Sequence, residues 1–360
     1  MSDTIRNILI VKLSALGDLA HALPVAGALR RAYPEAHLAW VVESRFRELL
    51  AGHPDLNEVI AIPLQKRRGS WTWSNLRAMV RGIRELRRRS FDLVIDLQGL
   101  LKSGLVTGLS GAPRRLGFHR RDCREPLSAL FTNQQAPPTG HLPHIVQKNL
   151  ALLRALGVDP GEPRFSLYIP EQAEAYIGRW LASERIDPAH PLVALHPAVG
   201  YPTKAWPLDR FAALGDRVSR ELGARVILTW GPGDRDLARA VGDLMREPYH
   251  LGPETPSLKQ ALALYRRLRL LISGDTGPLH LCAALDVPTV SIYGPTDPAR
   301  NGPFGPRHRV LVEPQPCSFC FKRTCPFHQE CMDAVTVDQV FEAVRQSDFG
   351  RPVGAGHPEN

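Results

Sequence analysis

Short uninterrupted apolar runs recur along the chain, each closed by a turn of Gly, Pro or small polar residues. In the first half, residues 8–11 (ILIV), 37–42, 59–62 and 91–96 have the length and composition of buried strands. Residues 192–195, 225–229, 270–272 and 287–293 repeat the pattern in the second half. Between them, residues 19–33, 145–156, 172–184 and 208–222 carry apolar positions at helical spacing. Strand, turn and helix alternating in this way predict an α/β chain with doubly wound parallel sheets. Residues 162–170 and 187–191 are punctuated by Pro, and the second half restarts with its own strand. Two Rossmann-like domains are therefore predicted, 1–170 and 171–345, with a disordered tail at 346–360. Two α/β halves of similar size imply a ligand cleft between them.

The charge balance adds a hint about partners. Lys and Arg outnumber Asp and Glu to give +9, which suits anionic partners such as nucleotides, phosphorylated lipids or nucleic acid, as well as a merely basic surface. Aromatics are only 7% and no nucleic-acid-binding motif is present, so charge is the whole support for nucleic acid. The N-terminal apolar run is too short for a signal peptide. No segment approaches the ~20 apolar residues of a membrane span, and a cytoplasmic location is expected. Residues 71–89 are amphipathic. Leu76, Met79, Val80, Ile83 and Leu86 share one face, Arg77, Arg81, Arg84, Arg87 and Arg88 fill much of the rest, and Lys66, Arg67 and Arg68 precede them. This is either a solvated face or a patch that docks on anionic membrane.

Several turns carry candidate chemistry. No Walker A sequence is present and no G-x-G-x-x-G follows the first strand, so kinase, GTPase and ordinary dehydrogenase readings lose their main support. Ser273-Gly274-Asp275-Thr276-Gly277 ends a strand, and Pro278 stands where a first helical residue is favoured. Free backbone N–H groups at such a helix start form a natural phosphate site, with the Thr276 and Ser273 hydroxyls nearby and His280 on the first turn. An ordinary βα turn explains the same residues. Asp18 follows the first strand's turn, a place for a catalytic carboxylate or simply for a helix cap. Lys204 precedes Ala-Trp-Pro and can neutralise a phosphate from a tight turn. The turn at 97–103 also lies at a strand's C-terminal end, where α/β proteins bind ligands. Residues 114–118 and 120–126 read as basic loops, and 133–144 as a flexible loop. Asp234-Arg235-Asp236 spells a D-x-D that either binds Mg²⁺ or Mn²⁺ or, as favoured here after Gly-Pro-Gly, opens a helix. Cys317, Cys320, Cys325 and Cys331, with His328 among them, allow structural zinc, a redox-sensitive thiol set or packed thiols.

Taken in order, these pieces resemble glycosyltransferase family 9, the bacterial lipopolysaccharide heptosyltransferases. The resemblance is carried by V-K-L-S-A-L-G-D-L-A-H-A-L-P (11–24), D-L-Q-G-L-L-K-S (96–103), R-E-P-L (124–127), H-P…K-A-W-P (196–207) and S-G-D-T-G-P-L-H…Y-G-P-T-D-P (273–298). It implies a GT-B fold of two Rossmann-like domains facing a central cleft, and an inverting transfer that requires no metal or other cofactor. The implied donor is ADP-L-glycero-β-D-manno-heptose, bound mainly by the C-terminal half. The implied acceptor is Kdo on lipid A, bound by the N-terminal half, since the 98–103 and 124–127 segments look most like members that add the first heptose. Members that add the second heptose, or other GT-B transferases with a different nucleotide sugar, are the alternative. By resemblance Asp18 is the base and Lys204 supports the leaving group. Ser14, Gly17, His196, Ser273, Asp275, Thr276, Gly277 and His280 contact the donor, and Lys102, Arg120 and Arg124 contact the acceptor. The resemblance also implies a peripheral position on the inner face of the inner membrane. The cysteine cluster and Pro278 depart from the pattern of first-heptose enzymes.

Overall fold

The structure, a computed structural model, describes residues 5–63, 82–327 and 330–347. The chain divides into two units, Met1–Tyr168 and Ile169–Asn360. Each is a six-stranded parallel sheet covered by helices.

In the first unit the strands are β1 (Asn7–Val11), β2 (His37–Glu43), β3 (Glu58–Ile62), β4 (Leu93–Asp96), β5 (Arg114–Gly117) and β6 (Gln134–Gln135), in the order β3-β2-β1-β4-β5-β6. The central strands are buried on both faces, which is why they read as continuous apolar runs. Ile10 aligns with Trp40 across β1 and β2, and Ile8 with Leu93 across β1 and β4. In the second unit β7 (Leu192–His196), β8 (Arg225–Leu228), β9 (Tyr249–Leu251), β10 (Leu270–Gly274), β11 (Thr289–Tyr293) and β12 (His308–Val312) are ordered β12-β11-β10-β7-β8-β9. Renumbered from the start of each unit, the two orders are the same. In both, the chain reverses direction across the sheet between the first and fourth strands, where open α/β sheets hold ligands at the strands' carboxyl ends.

The core of the second unit includes Trp206, Phe211, Leu214, Val226, Ile272 and Phe341. Trp206 is fully buried, stacks edge-on to Phe211 at 4.9 Å and donates its Nε1–H to the Val335 carbonyl at 2.9 Å. The Trp of K-A-W-P is therefore an anchor that fixes the turn just before it.

Several elements differ from the sequence-based expectation. Residues 114–117 form a strand, not a loop, because Leu116 and Gly117 are buried although the two arginines before them are not. The segment 133–144 is tied down rather than free: it contains β6, Ala136 and Thr139 are buried, and the Thr139 N–H donates to Asp122 at 2.7 Å. The helix expected at 19–33 is two helices, Leu16–Ala20 and Leu23–Ala32, and the break puts Pro24 in a first turn, where its missing N–H costs nothing. Helices at Leu101–Leu109, Leu258–Arg266 and Val337–Arg345, and strands β9 and β12, add to the expected set. Residues 82–88 are helical, with Leu86 buried and Arg84, Arg87 and Arg88 exposed. Lys66, Arg67, Arg68, Leu76, Arg77, Met79, Val80 and Arg81 lie outside the described residues, as do His328 and the tail from 348 onward.

Candidate active site

In the N-terminal unit, three expected segments meet beyond the ends of β1 and β4. The first is the turn after β1. Ser14 is buried, while Gly17 and Asp18 belong to the Leu16–Ala20 helix. Because that helix starts before Leu19, Asp18 is its third residue, and Oδ2 accepts from the Ala15 N–H at 3.1 Å. The carboxylate is exposed. The capping role is thus seen, though from inside the helix as its third residue rather than as its N-cap.

The second segment is Asp96–Ser103. Asp96 is buried and accepts from the N–H groups of Gln98 (2.8 Å) and Gly99 (3.3 Å) and from Ser103 Oγ (2.9 Å). Burial raises its pKa against these hydrogen bonds. Asp96 is thus the knot of its own turn. Gln98 reaches across to the first turn, accepting from the Leu13 N–H at 2.7 Å and donating to the Ser14 carbonyl at 2.8 Å. Lys102 Nζ donates to Ser14 Oγ at 2.6 Å and pairs with Glu43 Oε1 at 2.7 Å.

The third segment is the basic loop before residue 126. The Glu125 N–H donates to the Gly99 carbonyl at 3.1 Å, and Glu125 Oε2 accepts from the Leu101 N–H at 2.6 Å. Arg124, exposed, is thereby held beside the turn that carries Lys102. Arg120 is also exposed, in a short 3-10 turn, Arg120–Asp122.

Glu43 is the residue that sequence reading missed. It ends β2, is buried, and pairs with both Lys102 and Arg45. Burial pushes its carboxyl pKa up, but the two cations outweigh that and lower it. The one available signal was a lone acid closing an apolar strand.

In the C-terminal unit, β7 and β10 bring the second set together; Ser273 aligns with His196. His196 is buried and shares a hydrogen bond with Thr229 Oγ1 at 3.0 Å. Burial lowers its pKa to about 4, so the ring is neutral near pH 7. Ser273 is buried and donates to its neighbour's carbonyl, Gly274 O, at 3.0 Å. Asp275 is buried between two groups. Lys204 Nζ lies 2.5 Å from Oδ2, and His280 Nε2 lies 3.2 Å from Oδ1. Burial opposes ionisation, but His280 and Lys204 together hold the Asp275 carboxyl well below the usual carboxylate range. The ammonium also lies 4.4 Å from the Tyr201 ring centroid.

Gly274 makes this convergence possible. A Cβ there would sit 3.0 Å from the Lys204 carbonyl and 3.0 Å from Val199, so any larger residue would press the two turns apart. Thr276 is the N-cap of the Gly277–Ala284 helix but makes no side-chain cap bond, so its hydroxyl is not committed there. Pro278 is in the first turn. Thr296, in the turn after β11, is buried, and its Oγ1 has no hydrogen-bond partner among the described residues. A fixed ammonium, an open helix start and uncommitted hydroxyls suit an anion such as a diphosphate.

The metal readings fare differently. Asp234 and Asp236 stand at the start of the Arg235–Leu244 helix, as the capping reading expected, although Asp234 makes no side-chain cap bond. Cys331 is buried, with its Sγ packed where a Gly294 Cβ would lie, while Cys317 and Cys325 are half-buried and Cys320 is exposed. All are free thiols, and among the described residues no group of three or more His, Cys, Asp or Glu side chains could hold a metal ion. The zinc reading of the cluster has no support here; Cys331 acts in packing.

Two six-stranded parallel-sheet domains with their candidate residues on the turns at the strands' carboxyl ends are the architecture of the GT-B class. Residues 79–330 match glycosyltransferase family 9 (heptosyltransferase), and the chain belongs to that family. It is 34% identical to lipopolysaccharide heptosyltransferase 1 of Pseudomonas aeruginosa, over 89% of this chain and 88% of that one. The Escherichia coli heptosyltransferase WaaC with ADP superposes with a TM-score of 0.76 at 25% identity, covering 94% of this chain and 99% of that one. A family 9 glycosyltransferase from Veillonella parvula DSM 2008 gives a TM-score of 0.81 at 22% identity, over 96% and 98% of the two chains. The protein is a glycosyltransferase of lipopolysaccharide biosynthesis, most like the first heptosyltransferases.

Proposed function

We propose that the protein moves L-glycero-D-manno-heptose from ADP-heptose to Kdo of the lipopolysaccharide inner core, on Kdo₂-lipid A, with inversion at the anomeric carbon and without a metal. The observation that carries this reading is Lys204 paired with Asp275 beside the start of the Gly277–Ala284 helix. An ammonium has three donors, and Asp275 occupies one side of it. The remaining donors and the helix-start N–H groups are the means to stabilise a departing diphosphate without a divalent ion.

In this reading the C-terminal domain takes the donor, with His196, Ser273, Asp275, Thr276, Gly277 and His280 around the nucleotide sugar, and Ser14 and Gly17 are assigned to the donor by the family resemblance alone. The N-terminal domain takes the acceptor. Lys102, Arg120 and Arg124 offer positive charge to Kdo carboxylates and lipid phosphates. Asp18 removes the proton from the attacking acceptor hydroxyl, that oxygen bonds to the anomeric carbon from the face opposite ADP, and the C–O bond to the diphosphate breaks. The donor analogy rests on the relatives' names and on the solved complex with ADP. No helix among the described residues is long and apolar enough to cross a membrane, and the proposed lipid acceptor calls for a peripheral position on the inner membrane.

The test is ADP release from ADP-heptose with Kdo₂-lipid A, in EDTA, for wild type and Asp18→Ala. Wild-type turnover that survives EDTA and falls by at least ~10² without the base supports the reading. Loss of wild-type turnover in EDTA sinks metal independence. ADP-heptose binding without turnover on this acceptor sinks the Kdo assignment.

A further inference from the structure

Eleven large apolar side chains are exposed among the described residues, and five of them fall on two packed elements. Leu101, Leu105 and Leu109 lie on the Leu101–Leu109 helix, four residues apart, and so form one stripe. Ser103, Val106 and Thr107 on the same helix are buried, so the stripe is its outward edge. Gly104 and Gly108 form the neighbouring edge, where the 3-10 turn Pro126–Phe131 packs. A Cβ on either glycine would meet the Phe131 ring at 2.8 Å. That close seat brings Leu127 and Leu130 alongside the stripe, and Leu130 is 79% exposed.

The chain leading into this turn is basic. Residues 114–125 hold five arginines, Arg114, Arg115, Arg120, Arg121 and Arg124, and two acids, Asp122 and Glu125. Both acids are engaged with backbone N–H groups, of Thr139 and Leu101. Arg120, Arg121 and Arg124 are exposed.

We propose that this leucine ridge, with the arginine loop beside it, is the surface on which the protein rests on an anionic lipid bilayer. The ridge is built from leucine without exposed aromatics, which suits acyl chains better than the Trp- and Tyr-rich centres of protein interfaces. The flanking arginines complement anionic headgroups. The placement also has a use. Lys102 follows the first leucine of the ridge, so an acceptor whose acyl chains stay in the bilayer presents its polar end at the start of this helix. The inference rests on the acceptor being a lipid-linked saccharide, as proposed above, but its test needs neither donor nor acceptor.

The full-length protein is sedimented with vesicles of phosphatidylcholine alone and of phosphatidylcholine with phosphatidylglycerol, at low and high salt. The wild type is compared with Leu105→Ser/Leu130→Ser, whose altered side chains are exposed, and with Arg121→Ser. Wild type binds the anionic vesicles and is released by salt. The leucine pair lowers its partitioning by about tenfold or more, with an unchanged melting temperature and unchanged turnover on a deacylated, soluble acceptor. Arg121→Ser weakens binding at low salt only. Wild type that ignores anionic vesicles, or a leucine variant that binds as wild type does, overturns the proposal. So does a wild type that dimerises without vesicles while the leucine variant is monomeric, because the ridge would then be a protein interface. Failure of heptose transfer with vesicle binding intact refutes only the reaction.

Discussion

The ammonium of Lys204 lies 2.5 Å from Oδ2 of Asp275, and the pair is largely buried. Removing one partner of a buried pair costs more than the pair is worth, because the other charge stays behind. Lys204→Met should therefore destabilise the fold by about 3 kcal/mol, read from chemical denaturation. Asp275→Asn strands the Lys204 ammonium in the same way and should cost a similar amount. The same Lys204 variant should weaken ADP binding by about ten- to a hundredfold in calorimetry. A Lys204→Met protein with wild-type ADP affinity would remove Lys204 from the donor site.

The buried imidazole of His196 makes stability depend on pH in a defined window. Its folded pKa, about 4, is below the ordinary 6.5. The unfolded chain thus takes up a proton first as pH falls, and stability drops between about 6.5 and 4. The full loss is on the order of 3 kcal/mol. Asp275, whose pKa is also depressed, contributes stability that is lost only at still lower pH. In His196→Gln the slope between pH 6.5 and 4 should fall by about half, because His308, also lowered to about 4 by burial, contributes in the same window. An unchanged slope would mean that another group carries it.

Glu43 holds Lys102 without occupying all of its donors. Glu43→Ala should leave ADP affinity unchanged and raise the acceptor KM by about tenfold, because Lys102 loses its orientation. Steady-state kinetics with varied acceptor distinguish this from a fall in kcat alone, which would place Glu43 in the chemical step instead.

Gly104 is the seat of the 126–131 turn. A Cβ there would lie 2.8 Å from the Phe131 ring and 3.0 Å from the Ser128 carbonyl. Gly104→Ala should cost about 1–3 kcal/mol, seen as a lower melting temperature. An unchanged melting temperature would show that the turn yields freely.

Much of this was readable in the sequence, for physical reasons. The strands buried on both faces announced themselves as apolar runs, such as 8–11 and 270–272. Lys204 stood out because a lysine in a tight turn facing the 275–277 loop is more than a solvated charge, whereas Asp275 entered only through the family resemblance. The rest depends on contacts distant in the chain. Strand β5 begins with two arginines, so its buried half was hidden. Gln98 reads as an ordinary polar turn residue until its amide is seen spanning to Leu13 and Ser14, 85 and 84 positions away. Glu43 is likewise indistinguishable from a surface acid until Lys102 is placed against it. For Asp18 the sequence offered a cap or a catalytic base. The helix start decides the first, and the kinetic test above addresses the second.

The repeated strand order has a consequence for how such a chain can change. Each domain assembles its own turns from its own first and fourth strands, so neither borrows a strand to complete its sheet. Substitutions that retune the Asp96–Ser103 and Arg120–Glu125 segments leave the framework of the Lys204–Asp275 turns untouched. On the acceptor assignment proposed above, a lineage can explore new sugar acceptors by editing one half while inheriting the other unaltered. Exchanging whole halves between relatives is the laboratory equivalent of that history.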